Sequence, residues 1–242
     1  MSVFITGDIH GSYDIWKLDS DSFKNGNGLT KDDCLIICGD FGLIWNYQGQ
    51  DEHEEYWLNW LEKKPWTTLF VDGNHECHSR LNNDYPIEEW HGGKIHKISD
   101  SIFHLMRGQV FDIEGCKFFT MGGAPSHDIE YRTEGKSWWP EEVPSQKERD
   151  AAFKKLDEYD WEVDYVITHD APTCIADELI YMKHDYTRRL TEYNDWLQII
   201  AKSLVFKRWF CGHYHMDISF GDDALSNGNK FNEMYYNIEK LL

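Results

Sequence analysis

Five short stretches of this chain each set a ligand-type side chain directly behind an apolar run. They are Gly7-Asp8-Ile9-His10-Gly11, Gly39-Asp40-Phe41-Gly42, Gly73-Asn74-His75-Glu76, Thr168-His169-Asp170 and Gly212-His213-Tyr214-His215. The runs that precede them are rich in β-branched and aromatic residues, so each stretch reads as the end of a strand. One such ending is unremarkable. Five in series predict a sheet-based fold whose strand ends deliver side chains to one shared point.

The residue types name the chemistry of that point. Asp8, His10, Asp40, Asn74, His169, His213 and His215 offer carboxylate, amide and imidazole donors, which suit first-row divalent ions such as Mn, Fe, Zn or Ni. Two such ions lie about 3.5–4 Å apart when one carboxylate bridges them, so a two-metal centre is the economical reading. The Asp8-x-His10 and His213-x-His215 spacings predict side chains on one side of an extended segment. Glycines at 7, 11, 39, 42, 73 and 212 let the backbone turn and leave room for ions. The motif cores lack Cys, which argues against a structural thiolate zinc site.

In order and spacing, Asp8-x-His10, Gly39-Asp40, Gly73-Asn74-His75-Glu76, His169 and Gly212-His213-x-His215 resemble the calcineurin-like metallophosphoesterases. The resemblance runs from residue 7 to residue 215. It implies an α/β fold, a sandwich of two β-sheets flanked by helices, with the site at the strand carboxyl ends. It also implies that Asp8, His10, Asp40 and His215 hold one ion, while Asp40, Asn74, His169 and His213 hold the other. His75 would face the substrate as a general acid or a transition-state hydrogen-bond donor. The serine/threonine phosphoprotein phosphatases carry an Asp-Arg pair shortly after the second motif, where this chain has Leu43-Ile44-Trp45. A phosphate-gripping Arg is therefore missing from that place.

At 242 residues the expectation is a single domain with a loop insertion. The net charge of −19, with no basic block, disfavours a nucleic-acid partner, which needs a row of Lys and Arg along the phosphate backbone. The N-terminus enters Val3-Phe4-Ile5 at once and no apolar stretch has membrane-spanning length. Six scattered Cys, several in apolar runs, read as reduced thiols. Together these predict a cytoplasmic protein with no membrane partner.

Val3–Thr6, Cys34–Cys38 and Thr67–Val71 are predicted strands, with a helix over 51–64 between the last two. Strand–helix–strand order predicts a parallel sheet. Ile102–Leu105, Gln109–Ile113 and Lys117–Met121 read as successive antiparallel strands of a second sheet. Ser145-x-x-Glu148 has capping-box spacing ahead of a helix. Val163–Thr168, Trp209–Cys211, Met216–Phe220 and Lys230–Tyr236 are further strands, and Leu190 to Ile200 a helix. Residues 122–144 lack periodicity and read as a loop beside the site.

Within that loop, Arg132 is a candidate to grip phosphate, or to pair with Asp128 at helical spacing. Arg80 is a second substrate-binding candidate. Asp170 is placed to orient a ligand imidazole. The reaction expected is hydrolysis of a small-molecule or peptide phosphate ester by metal-bound hydroxide, with a monoester as substrate. The same ligand set serves a phosphodiesterase or nuclease, and a non-catalytic scaffold is the alternative of another class.

Overall fold

Parallel pairing of the first predicted strands sets the architecture. In this computed structural model, which describes residues 1–185, 187–221 and 230–242, β1 (Val3–Thr6) pairs with β2 (Cys34–Ile37) and β2 with β3 (Thr67–Phe70). The register joins Thr6 to Ile37 and Ile37 to Phe70, so all three strands end on one edge. Each is four residues long and buried on both faces, as their β-branched and apolar residues with no charged side chain allow. A hairpin, β4 (Ile87–Trp90) and β5 (Gly93–Lys97), and then β6 (Ile102–Leu105) extend this sheet on one side. A second sheet holds β7 (Gln109–Ile113), β8 (Cys116–Met121), β9 (Tyr165–Thr168), β10 (Arg208–Cys211), β11 (Ile218–Phe220) and β12 (Lys230–Glu233). Strand β13 (Glu239–Lys240) returns to pair with β1. The strand orders are β13-β1-β2-β3-β6-β5-β4 and β11-β12-β10-β9-β8-β7.

The sheets pack face to face through Ile5, Ile36, Leu69, Phe118, Ile167 and Phe210. The outer face of the first sheet carries α1 (Glu52–Glu62), through Trp57, Leu58 and Leu61. A short α2 (His78–Asn83) follows the third motif. The outer face of the second sheet carries α3 (Gln146–Asp157), α4 (Thr173–Lys183) and α5 (Glu192–Ser203). Each large apolar side chain buried in these layers contributes roughly 1.5–3 kcal/mol. The capping residues do as their spacing predicts. Asp51 accepts from the Glu54 amide, and Ser145 and Glu148 cap each other.

Two expectations are corrected. Ile102–Leu105 belongs to the first sheet, parallel to β3, and not to an antiparallel run in the second. The cause is the β4–β5 hairpin, whose turn uses His91 at φ 48° and Gly92 at φ 83°. Its Ile-Glu-Glu-Trp strand is mostly exposed and carries no apolar alternation. Arg107-Gly108 is consequently a crossing between sheets, and Glu114-Gly115 turns the β7–β8 hairpin. Helix α4 was also unread: it starts at Pro172 with no side-chain cap and no acidic first turn, and stops at a left-handed His184. No helix among the described residues is long and apolar enough to cross a membrane.

His78 links this packing to pH. Its ring is buried beneath the third motif, with Nε2–H donating to the Gly73 carbonyl at 3.1 Å. Burial pushes its pKa down to about 4 from 6.5. The unfolded chain therefore binds a proton that the folded chain refuses, and stability falls as pH drops from about 6.5 to 4. Chemical denaturation across that window should show a loss of up to about 3 kcal/mol from this group. His78→Gln should flatten the slope; an equal slope in the variant would clear His78 of the effect.

Candidate metal centre

All five motifs emerge at the carboxyl ends of β1, β2, β3, β9 and β10, on the edge where the parallel registers align. The spacing argument for extended segments is corrected here. Strand β1 ends at Thr6 and β10 at Cys211, and His10, Asp40, His213 and His215 all stand in the left-handed region, at φ 43°, 45°, 75° and 52°. That conformation is costly for residues with a Cβ and persists where surrounding structure enforces it. The side chains converge through these tight loops and not through strand alternation.

One ligand atom each from Asp8, His10, Asp40 and His215 falls within a 4.8 Å group, and Asp40, His169 and His213 form a second such group. Asp40 belongs to both. Its Oδ2 lies 3.3 Å from His10 Nε2 and its Oδ1 3.2 Å from His169 Nε2. His215 Nε2 is 3.2 Å from Asp8 Oδ2. Asn74 joins the second group's side: the next residue's amide, His75 N–H, donates to Asp40 Oδ1 at 2.8 Å.

The arrangement leaves an acceptor vacant. Asn74 Oδ1 is buried with no hydrogen-bond partner, an uncommon and unfavourable state for a polar atom, and His169 Nε2 is buried facing Asp40 Oδ1. The His169 tautomer is set by Nδ1–H, which donates to the Cys38 carbonyl at 2.8 Å and turns the Nε2 lone pair inward. His10 does the same with Asp14 Oδ2 at 2.7 Å. Space is reserved as well: a Cβ on Gly73 would stand 2.2 Å from Asp40 Oδ1, and one on Gly212 2.1 Å from Asp8 Oδ1. Donor types, inward lone pairs and cleared volume all fit a pair of divalent cations.

The electrostatics agree. Burial raises the Asp40 carboxyl, yet His169 and His75 outweigh it and hold it well below the usual range. Burial lowers His169 and His10, but the Asp40 and Asp8 charges lift them to about 10 and about 9. The cluster is thus an anionic well that recruits positive charge. Lys17 offsets part of that charge, its buried Nζ donating to the Gly7 and Asp8 carbonyls at 2.9 and 2.7 Å and to that of Tyr235.

The remaining candidates divide. His75 faces the cluster, its ring 5.3 Å from that of His10 and stacked on Trp45 at 5.5 Å. Burial lowers its pKa. Arg80 does not reach the site: its Nη1 is spent on Glu54, at 2.8 and 3.1 Å, and on the Asn46 carbonyl. Arg132 takes the local alternative, with Nε 2.6 Å from Asp128 and Nη1 on the Ser137 carbonyl. Asp170 orients no imidazole; it accepts the Tyr214 hydroxyl at 2.6 Å and the Ala171 amide.

Four contributors escaped the sequence reading. Asp14 fixes His10 from the i+4 position, but in a loop where no helical pattern announced it. Glu76, quoted in its motif without a role, accepts the Phe41, Gly42 and Gly73 amides and so ties two ligand loops together. Ser126, in the 122–144 loop, accepts from Asn74 Nδ2 at 3.3 Å and leaves Oδ1 for the cluster. Trp45 backs His75 and is itself held edge-on by Trp139 of the same loop at 5.6 Å.

A sequence model of the calcineurin-like phosphoesterases matches residues 1–217. The chain belongs to that family. Among curated relatives, a lariat debranching enzyme of Arabidopsis thaliana is 24% identical over 95% of this chain and 57% of its own length. One from Danio rerio is 26% identical over 71% of this chain and 31% of its own. The chain thus spans between about a third and just over half of these relatives. A phosphopantetheinyl hydrolase from Mycobacterium tuberculosis superposes with a TM-score of 0.48 at 16% identity, covering 100% of this chain and 95% of that one. Family membership makes this a metallophosphoesterase fold, with a ligand set suited to metal ions.

Asp14 provides the test of the assembly. Asp14→Asn should keep the fold and weaken manganese binding by about 10–100-fold, the usual effect of losing the partner that orients a ligand histidine. Equal affinity by titration calorimetry would mean that His10 needs no such partner.

Proposed function

We propose that this phosphoesterase hydrolyses phosphomonoesters at a dinuclear centre, with Asp8, His10, Asp40 and His215 holding one ion and Asp40, Asn74, His169 and His213 the other. The observation that carries the reading is the sharing of Asp40 by two ligand groups, together with the buried Asn74 Oδ1, which lacks any hydrogen-bond partner. A scaffold without chemistry has no use for a buried acceptor left vacant. Manganese, iron, zinc or nickel fits this donor set, and such ions lower the pKa of water toward neutrality and neutralise phosphoryl charge.

The chain's own residues do the rest. His75 stands over the cluster on the side where a cleft of about 560 Å³ opens, lined by Tyr13, Trp45, His53 and Tyr235 with Asp14, Asp51 and Glu54 among them. Its imidazole is placed to donate a hydrogen bond to the departing oxygen. Trp45, stacked on that ring, limits its rotation, and Arg80 through Glu54 pins the Trp45 and Asn46 amides. Positioning of this kind is what converts binding into rate. The acidic and aromatic wall favours a neutral or cationic leaving group and repels an extended polyanion. That charge is the reason for preferring a monoester to a nuclease substrate. A diester is the second reading: the relatives are named as debranching enzymes, and Trp45 and Tyr235 offer stacking faces for planar rings.

Side-by-side rates on 4-nitrophenyl phosphate and bis(4-nitrophenyl) phosphate, with manganese or nickel, should favour the monoester at least tenfold. A preference for the diester reverses the assignment, and no hydrolysis of either removes the enzyme reading. His75→Asn should retain full metal content but lose about 10²–10⁴-fold in turnover. Unaltered turnover would make His75 a bystander.

A further inference from the structure

A second cleft, of about 220 Å³, lies against the opposite flank of the centre, with His213, Tyr214, Ser126, His127, Asp170 and Arg188 among its walls. Its character differs from the first. His213 is a candidate ligand of the second ion, and Ser126 is the residue bonded to Asn74. Asp170 also lines it, but Oδ1 is occupied by the Tyr214 hydroxyl and the Ala171 amide. Arg188 is the feature without an account. It sits between α4 and α5, with its guanidinium carbon 5.3 Å from the centre of the Tyr214 ring, next in sequence to His213. Its side chain is only 9% exposed, Nε is 3.2 Å from Asp185, and Nη1 is buried with no hydrogen-bond partner.

A buried guanidinium donor without an acceptor is costly, more so than a neutral group. A five-donor planar fork matches the oxygens of a phosphate group bidentately. Arg80 and Arg132 are paired with carboxylates at 2.8 and 2.6 Å, as Arg188 is with Asp185, but neither of them lines this cleft.

We infer that Arg188 is the cation that grips the phosphoryl group on the His213 flank of the centre, and that the small cleft it lines receives the released inorganic phosphate. The phosphate oxygens that the ions leave uncovered face a protein donor there, while the alcohol departs through the aromatic cleft beside His75. This role rests on the hydrolase reading for its ligand, but it is measured without turnover.

The experiment is titration calorimetry of the manganese-loaded full chain with inorganic phosphate. Arg188→Ala should bind phosphate at least tenfold more weakly than wild type while binding the same number of manganese ions. Arg188→Lys should fall between, since it keeps the charge but loses the fork. Added guanidinium ion should restore part of the affinity to the alanine variant, which a merely structural defect would not allow. Should the alanine variant not fold, Arg188→Lys and Arg188→Gln carry the comparison. Phosphate affinity within twofold of wild type in the variants, or a wild type that binds no phosphate at millimolar concentration, overturns the assignment. Turnover of 4-nitrophenyl phosphate with Arg188-independent phosphate binding sinks only the subsite. Arg188-dependent binding with no turnover of any ester sinks only the hydrolase reading.

Discussion

Two buried carboxylates, Asp8 and Asp40, stand close enough for the charge of each to act on the other, and most of what surrounds them answers that repulsion. Isolated buried anions are untenable without compensation. The compensation comes in layers. The His213 amide donates to Asp8 and the His75 amide to Asp40. Lys17 sits behind Asp8, bonded to its backbone. Four imidazoles crowd the two carboxylates, and two of them have lone pairs aimed inward by Asp14 and the Cys38 carbonyl. What the protein does not supply is a cation at the common point of the two ligand groups. A binding site for divalent ions is the physical consequence of gathering anions faster than the fold neutralises them.

That gathering is costly in backbone conformation, and the cost falls where the function is. Four of the residues around the cluster occupy the left-handed region, and glycines 73 and 212 press against carboxylate oxygens with no room for a side chain. Strain of order 1–3 kcal/mol per such residue survives because the loops are tied from outside. Glu76 binds three amides from two loops, and Glu233 takes the Tyr214 and Met216 amides beside the last motif. The parallel strands do the coarse alignment; these buried carboxylates do the fine alignment.

This division explains what was legible in the sequence. Short apolar runs ending in Gly-Asp, Gly-Asn-His or Gly-His carry both the strand and a ligand-type residue in one window, so β1, β2, β3, β9 and β10 and the six clustered Asp and His residues could be named from local pattern. Caps at Asp51 and Ser145 were equally local. The β4–β5 hairpin was lost because its exposed Ile-Glu-Glu-Trp strand shows no buried face. Helix α4 was lost because nothing caps its start. Asp14 and Trp45 were lost for another reason: their roles are relations to His10 and His75, and a relation through space leaves no spacing signal in a loop.

The arginines make the same point from the side of charge. Arg80 and Arg132 were singled out for standing near motifs or in the site loop, and proximity in sequence proved a poor guide. Each had a carboxylate within reach, Glu54 for one and Asp128 for the other, and neither lines the cleft on the His213 flank. Arg188 lies far from every motif in sequence and was passed over. Yet it packs on Tyr214, in the middle of that motif, and keeps a buried donor unassigned. In an acidic chain of net charge −19 most cations are claimed by nearby carboxylates, so an arginine that remains partly unclaimed beside a phosphoesterase centre carries more information than one that is merely close.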